Sequence, residues 1–137
     1  MRNAIRCQLR CLFLLLLVCI TSAQAQYNIK TEYSKAEYQI PMRDGVKLFT
    51  SVYSPKDTSQ KYPFMMQRTP YSVGPYGPEA YRNALGPSQF LMKEGYIFVY
   101  QDVRGRYFSE GEFKWMTPYK PKKSGPNDVD ESTDTYD

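Results

Sequence analysis

Arg68-Thr69-Pro70-Tyr71 and Gln101-Asp102-Val103-Arg104-Gly105-Arg106 decide how this chain is read. The first stretch follows the apolar run Tyr62–Gln67, and the second closes the run Gly95–Tyr100. Short, nearly continuous apolar runs bounded by turn residues mark strands covered on both faces, as in a parallel sheet. Between them, Pro87–Glu94 carries Phe90 and Leu91 and stops at Gly95, which predicts a helix with a glycine terminator. Strand, helix and strand at this spacing predict a right-handed βαβ crossover.

Upstream, Tyr27–Lys35 reads as a polar lead-in. Tyr38, Ile40 and Met42 then alternate with polar or small residues, the pattern of a half-buried strand. Arg43-Asp44-Gly45 supplies turn chemistry, and Val46–Ser54 reads as the returning strand of a β-hairpin, closed by Pro55. Tyr71–Gly86 is a long loop carrying Tyr71, Tyr76 and Tyr81, and loops of this length are either functional or simply solvated. Downstream, Thr117–Asn127 is a Pro-, Lys- and Ser-rich loop. Asp128 stands three residues before Glu131, a capping-box start for a helix. The fold class expected is α/β.

Residues 1–25 are set apart from the fold. Arg2, Arg6 and Arg10 precede the apolar core Cys11–Ile20, and Ala23-Gln24-Ala25 offers a small-x-small cleavage site. The core is shorter than the roughly 20 residues that a bilayer span needs, so export with no stable membrane anchor is expected. Removing this leader leaves 15 basic residues against 14 acidic ones, a net charge of +1 in place of +4. That balance gives no support for a nucleic-acid partner. Cys7, Cys11 and Cys19 all leave with the leader, so residues 26–137 hold no thiol and no Cys/His metal site. They form one small unit that must rely on its apolar core.

The stretches Met42-Arg43-Asp44-Gly45-Val46-Lys47-Leu48, Arg68-Thr69-Pro70-Tyr71 and Gln101–Arg106 resemble the CocE/NonD family of α/β-hydrolases. That group includes X-Pro dipeptidyl-peptidases, cocaine esterase and α-amino-acid ester hydrolases (glutaryl-cephalosporin acylases). The resemblance covers about Ala36 to Asp137. It looks nearest to the α-amino-acid ester hydrolases around Tyr38–Leu48 and Glu94–Gly111. It implies the N-terminal part of an α/β-hydrolase fold, with the hairpin as strands 1 and 2 and the βαβ unit as strands 3 and 4. Strand 5 would lie beside strand 3, and the nucleophile elbow would follow it. The chain contains no His and no Gly-x-Ser-x-Gly elbow, so by itself it cannot assemble a Ser-His-Asp triad.

Within that resemblance Tyr71 is the catalytic candidate. In the family, the Tyr of an Arg-x-Pro-Tyr stretch donates to the oxyanion that acyl transfer creates. A phenol suits the task because it keeps its proton at neutral pH. The alternative is a structural Tyr at a strand end. Asp102 and Arg104 are expected to be structural residues near the site, with Arg104 pairing carboxylates. Ser109 has no His to activate it. Asp128, Asp130, Ser132 and Asp134 alternate like a calcium loop, but Thr133 stands where an EF-hand needs Gly, so a helix N-terminus rich in acids is the better reading. No metal or cofactor is expected.

The resemblance implies an exported serine hydrolase of ester or amide bonds (acyl or X-Pro peptide), periplasmic or extracellular. Its partner would be a small ester, amide or peptide substrate, and the full-length protein is open to homo-oligomerisation. Ser72-Val73-Gly74 brings no acid directly after Tyr71, so a generic ester or amide is the expected substrate rather than an α-amino one. Two other readings stay open at this level: a non-catalytic secreted binding module using the Tyr-rich loop, and a truncated reading frame without function. N-terminal sequencing of exported material is expected to begin at Gln26, and a sequence beginning at Met1 would contradict the leader.

Overall fold

The computed structural model describes residues 27–137; the leader expected at residues 1–25 lies outside the described residues. The elements in chain order are α1 (Ile29–Glu32), β1 (Tyr33–Pro41), β2 (Lys47–Pro55), β3 (Phe64–Thr69), α2 (Gln89–Lys93), β4 (Ile97–Asp102) and α3 (Glu131–Tyr136). The four strands form one sheet in the order β1-β2-β4-β3.

The hairpin forms where its turn residues place it. Gly45 adopts φ +85°, a conformation that side chains resist, and its N–H donates to the Met42 carbonyl. The turn sets the register from Pro41↔Lys47 to Tyr33↔Pro55. β2 runs antiparallel to β4 and β3 runs parallel to it, from Phe64↔Ile97 to Thr69↔Asp102. These registers bring the Arg43–Gly45 turn, the end of β3 and the end of β4 to one end of the sheet.

Alternation along the strands sorts the two faces. Tyr53 lies opposite both Lys35 and Phe98, and together with Phe49 and Tyr100 it builds the core face. Leu85 and Val73 from the long loop, Ile29 from α1 and Met92 from α2 cover that face. The opposite face carries a lateral polar chain. Gln101 donates to the Thr50 hydroxyl at 3.0 Å and accepts from Arg68 Nε at 2.7 Å.

Four expectations need correction. Tyr27–Lys35 is not a lead-in, because α1 and the first turns of β1 lie within it, and Tyr33 and Lys35 are buried. Consequently the inward face of β1 begins at Tyr33, and Tyr38 is exposed. In α2 it is Met92 that is buried while Phe90 faces solvent. β3 has no fully buried residue, and Phe64 is 69% exposed, because β3 pairs on one side only among the described residues. An edge strand with an apolar surface is a template for further pairing.

Lys35 was hidden in a polar-looking segment for a physical reason. Its side chain is fully buried, yet Nζ donates to the carbonyls of Pro75, Gly77 and Ala80 at 2.7–2.8 Å and pairs with Glu37 at 2.8 Å. Glu37 in turn accepts from Gly77 N–H at 2.8 Å. The long loop is therefore wrapped around an ammonium that has no other solvation. Lys35→Met leaves the three carbonyls without their donor and Glu37 without its cation, and removing one partner of a buried pair costs about 3–5 kcal/mol. Urea denaturation is expected to show that loss; an unchanged midpoint would mean that the loop does not need the cation.

Candidate active site

Tyr71 stands two residues beyond the end of β3, beside the turn that follows β4. Open α/β sheets gather their active groups at this end of their parallel strands. Tyr71 is 72% exposed, and its hydroxyl makes no hydrogen bond among the described residues. Its backbone, by contrast, is held: Tyr71 N–H donates to Thr69 Oγ1 at 3.1 Å. Ser72 then takes φ +79°, a left-handed conformation that costs a non-glycine residue energy and persists only where its surroundings enforce it. Ser72 Oγ accepts from Gly74 N–H at 3.2 Å and shares a 3.0 Å bond with the Tyr76 hydroxyl.

The other two loop tyrosines are occupied with packing. Tyr76 donates to Asp102 Oδ2 at 2.9 Å, and its ring contacts Phe49 and Phe108. Tyr81 accepts from Lys35 N–H at 3.0 Å and sits edge-on to Tyr53. Of the three rings in this loop, Tyr71 is the one that faces solvent.

Asp102 closes β4 with no solvent exposure. Its carboxylate accepts from Val73 N–H at 3.0 Å and from the Tyr76 hydroxyl. Burial pushes its pKa above the ordinary carboxylate range, and the two bonds pull back against that shift. Burial likewise raises Tyr76, so the proton between them stays on the phenol. Asp102 thus anchors the loop that follows Tyr71. Ser109 Oγ donates to the Asp102 carbonyl at 2.7 Å and accepts from Phe49 N–H at 2.9 Å, a hydroxyl fully committed to backbone.

Arg104 spans three segments. It binds Asp134 at 2.6 and 2.9 Å, and Asp44 in the hairpin turn at 2.7 and 3.3 Å. Its bonds to Asp134, then to Asp44, strengthen its hold on its proton. Gly105 lies beside it at φ +68°, where a Cβ would collide with the backbone of Phe113. Arg68 also reaches α3, through the Thr135 hydroxyl at 2.6 Å and Glu131. Its Nη2 has no hydrogen-bond partner among the described residues and lies 3.9 Å from Asp134. Burial lowers the Arg68 pKa, although the nearby acids oppose the shift. Arg43 completes the set with Asp137, at 2.7–3.2 Å.

The cap of α3 lies two residues later than expected. Its cap is Asp130, which accepts from Thr133 N–H while the Thr133 hydroxyl accepts from Asp130 N–H, a reciprocal box. Asp128 instead accepts from Ser124 and Gly125. Bonds from Ser132, and then from the Lys120 and Thr133 N–H groups, hold Asp130 well below the usual carboxylate range. Arg43 does the same for Asp137. Groups with depressed folded pKa values contribute stability that is complete above the unfolded value, about 4, and is lost as pH falls through the folded values. Asp102 runs in the opposite sense, since its raised pKa lets acid relieve part of its burial cost. The amide resonances of Thr133 and Asp134 are therefore expected to keep their capped positions at pH 4, where Asp130 is still ionised, and to move toward random-coil values only as pH falls well below that, through the depressed folded-state value. Loss of those positions already at pH 4 or above would contradict the carboxylate account.

The geometry can be set beside known proteins. Residues 44–137, more than half of the chain, match the X-Pro dipeptidyl-peptidase (S15 family). The cocaine esterase of Rhodococcus sp. (strain MB1 Bresler) is 36% identical over 74 residues, covering 54% of this chain and 12% of that protein. Among solved structures, an α-amino acid ester hydrolase superposes with a TM-score of 0.61 at 35% identity, covering 83% of this chain and 18% of its own. An aminopeptidase from a marine sediment archaeon, Thaumarchaeota archaeon, superposes with a TM-score of 0.62 at 34% identity, covering 85% of this chain and 20% of its own. The chain thus spans at most a fifth of the length of these relatives. Its sheet is the α/β-hydrolase sheet of such proteins, and by the extent of the match the chain belongs to the X-Pro dipeptidyl-peptidase (S15) family, within the CocE/NonD type.

Proposed function

We propose that this chain is the oxyanion-donor portion of an exported serine hydrolase that cleaves ester or amide bonds. The observation that carries the reading is the state of Tyr71. Its phenol is exposed and without a hydrogen-bond partner among the described residues just past β3, while the backbone on both sides of it is held by hydrogen bonds. In the reaction, a serine from the full-length protein adds to the substrate carbonyl, and the oxygen gains negative charge. A fixed neutral donor lowers that barrier because its stabilisation grows as the charge develops. The names of the similar proteins, an esterase, an ester hydrolase and an aminopeptidase, support a hydrolase acting on acyl bonds. The leader pattern in residues 1–25 supports export. A binding module that stacks sugars or peptides on the loop tyrosines is less well supported, because Tyr76 and Tyr81 are tied into the core.

Two measurements test the reading. In the full-length protein, Tyr71→Phe is expected to lower kcat by about 10²–10³, the usual loss for one oxyanion donor. The melting temperature should hardly move, since the hydroxyl makes no bond that folding depends on. An unchanged kcat would remove Tyr71 from the chemistry. Residues 26–137 alone are expected to show no turnover of p-nitrophenyl esters or X-Pro anilides, because they contain no His to activate a nucleophile. Turnover that survives purification and Tyr71→Phe would contradict the proposal.

A further inference from the structure

Two turns leave the end of the parallel ladder side by side. One carries Pro70 and Tyr71; the other runs from Val103 to Ser109. The ladder closes at Thr69↔Asp102, and Val103 N–H still reaches the Thr69 carbonyl at 3.3 Å. One residue further on, the backbones no longer pair, and a side chain takes over. Arg106 Nε donates to the Pro70 carbonyl at 3.0 Å.

That carbonyl matters because of what it controls. The proline ring locks φ of Pro70, so ψ is the remaining soft angle before the Tyr71 peptide. The direction of the Pro70 carbonyl is the readout of that ψ. Holding the carbonyl therefore fixes the peptide plane that carries Tyr71 N and Cα, the base from which its Cα–Cβ bond projects. The exposed ring has little packing of its own to do this. On the far side, Asp102 holds Val73 N–H, two residues after Tyr71.

Arg106 is itself restrained. Its guanidinium lies 5.2 Å from the Tyr107 ring centre and 4.9 Å from that of Phe113, within cation–π range of both. Nη1 and Nη2 make no hydrogen bond among the described residues, so the contact with Pro70 is its side-chain polar bond. Each turn also holds a left-handed non-glycine residue next to the contact: Ser72 at φ +79° and Tyr107 at φ +50°. Such conformations survive where the surroundings over-determine them. Here the Arg106–Pro70 bond ties the two strained turns together.

We propose that Arg106 is a positioning residue for Tyr71, one jaw of a clamp whose other jaw is Asp102, and that it aims the phenol by fixing the Pro70 carbonyl. The proposal rests on the oxyanion reading of Tyr71 and deepens it.

The test uses the full-length protein with Arg106→Gln, Arg106→Lys, Tyr71→Phe and the Arg106→Gln/Tyr71→Phe double variant. Small misplacements of a catalytic group cost up to about 100-fold, so Arg106→Gln is expected to lower kcat about 10- to 100-fold with KM nearly unchanged. The double variant should be no slower than Tyr71→Phe alone, because the two residues act through one hydroxyl. Arg106→Lys keeps a cationic donor and should recover part of the loss; it also carries the comparison should Arg106→Gln fail to fold. With 13Cζ-labelled tyrosine, Arg106→Gln should shift and broaden the Tyr71 resonance and leave those of Tyr76 and Tyr81 in place. An unmoved Tyr71 resonance, or a loss that adds in full to that of Tyr71→Phe, would overturn the proposal. If Tyr71→Phe by itself leaves kcat unchanged, it is the oxyanion reading that fails, and the Tyr71 resonance still decides whether Arg106 orients the ring.

Discussion

Asp102 has no access to solvent, and a buried carboxylate must be given donors or give up its charge. The rest of the site end follows from how that demand is met. Val73 N–H and the Tyr76 hydroxyl supply the carboxylate, which draws the loop after Tyr71 onto the end of β4. Ser109 supplies the Asp102 carbonyl, which folds the turn after β4 back onto β2 through Phe49 N–H. With both turns docked, Pro70 and Arg106 come within hydrogen-bond distance. Replacing the Asp102 carboxylate would release the Val73 and Tyr76 contacts together, while the Ser109 bond to the Asp102 backbone carbonyl would remain.

The opposite face depends on arginines. Arg43, Arg68 and Arg104 come from the hairpin turn, β3 and the turn after β4, and all three reach α3 or its C-cap, Asp137. A guanidinium suits this role because its planar fork can serve two carboxylates at once, as Arg104 does with Asp44 and Asp134. α3 is six residues long, too short to be stable alone. It forms because Asp130 caps it and because its acids meet cations already fixed by the sheet. The acids that alternate along Asp128–Asp134 are therefore used in local caps and ion pairs.

What could be read from the sequence was what is local. Arg43-Asp44-Gly45 specifies a hairpin turn, and the two apolar runs with a helix between them specify the βαβ unit, because turn chemistry and periodicity act over a few residues. What could not be read depends on partners far along the chain. Lys35 looks like a solvated residue until the carbonyls of Pro75–Ala80, 40 to 45 residues away, close around it. Tyr33 and Lys35 fall on the face opposite Tyr38, Ile40 and Met42, so the alternation of those three residues gives no sign that the inward face lies at Tyr33 and Lys35. Five helical residues are too few to define an inward face from the sequence, and in α2 it is Met92 that is buried while Phe90 is exposed. Arg106 was passed over because its acceptor is a backbone carbonyl, which no residue type announces. The role of Tyr71 came from a family resemblance, whereas the geometry contributes its exposure and its restrained backbone.

The most direct test of the account is a structure of the full-length protein carrying a covalent boronate or phosphonate adduct on its nucleophile. Such adducts place an oxygen where the oxyanion of the transition state would lie. The account predicts the Tyr71 phenol oxygen about 2.7–3.1 Å from that oxygen, the distance at which an oxyanion donor works. An adduct whose oxygen is served by other donors, with the Tyr71 phenol out of hydrogen-bond reach, would contradict it.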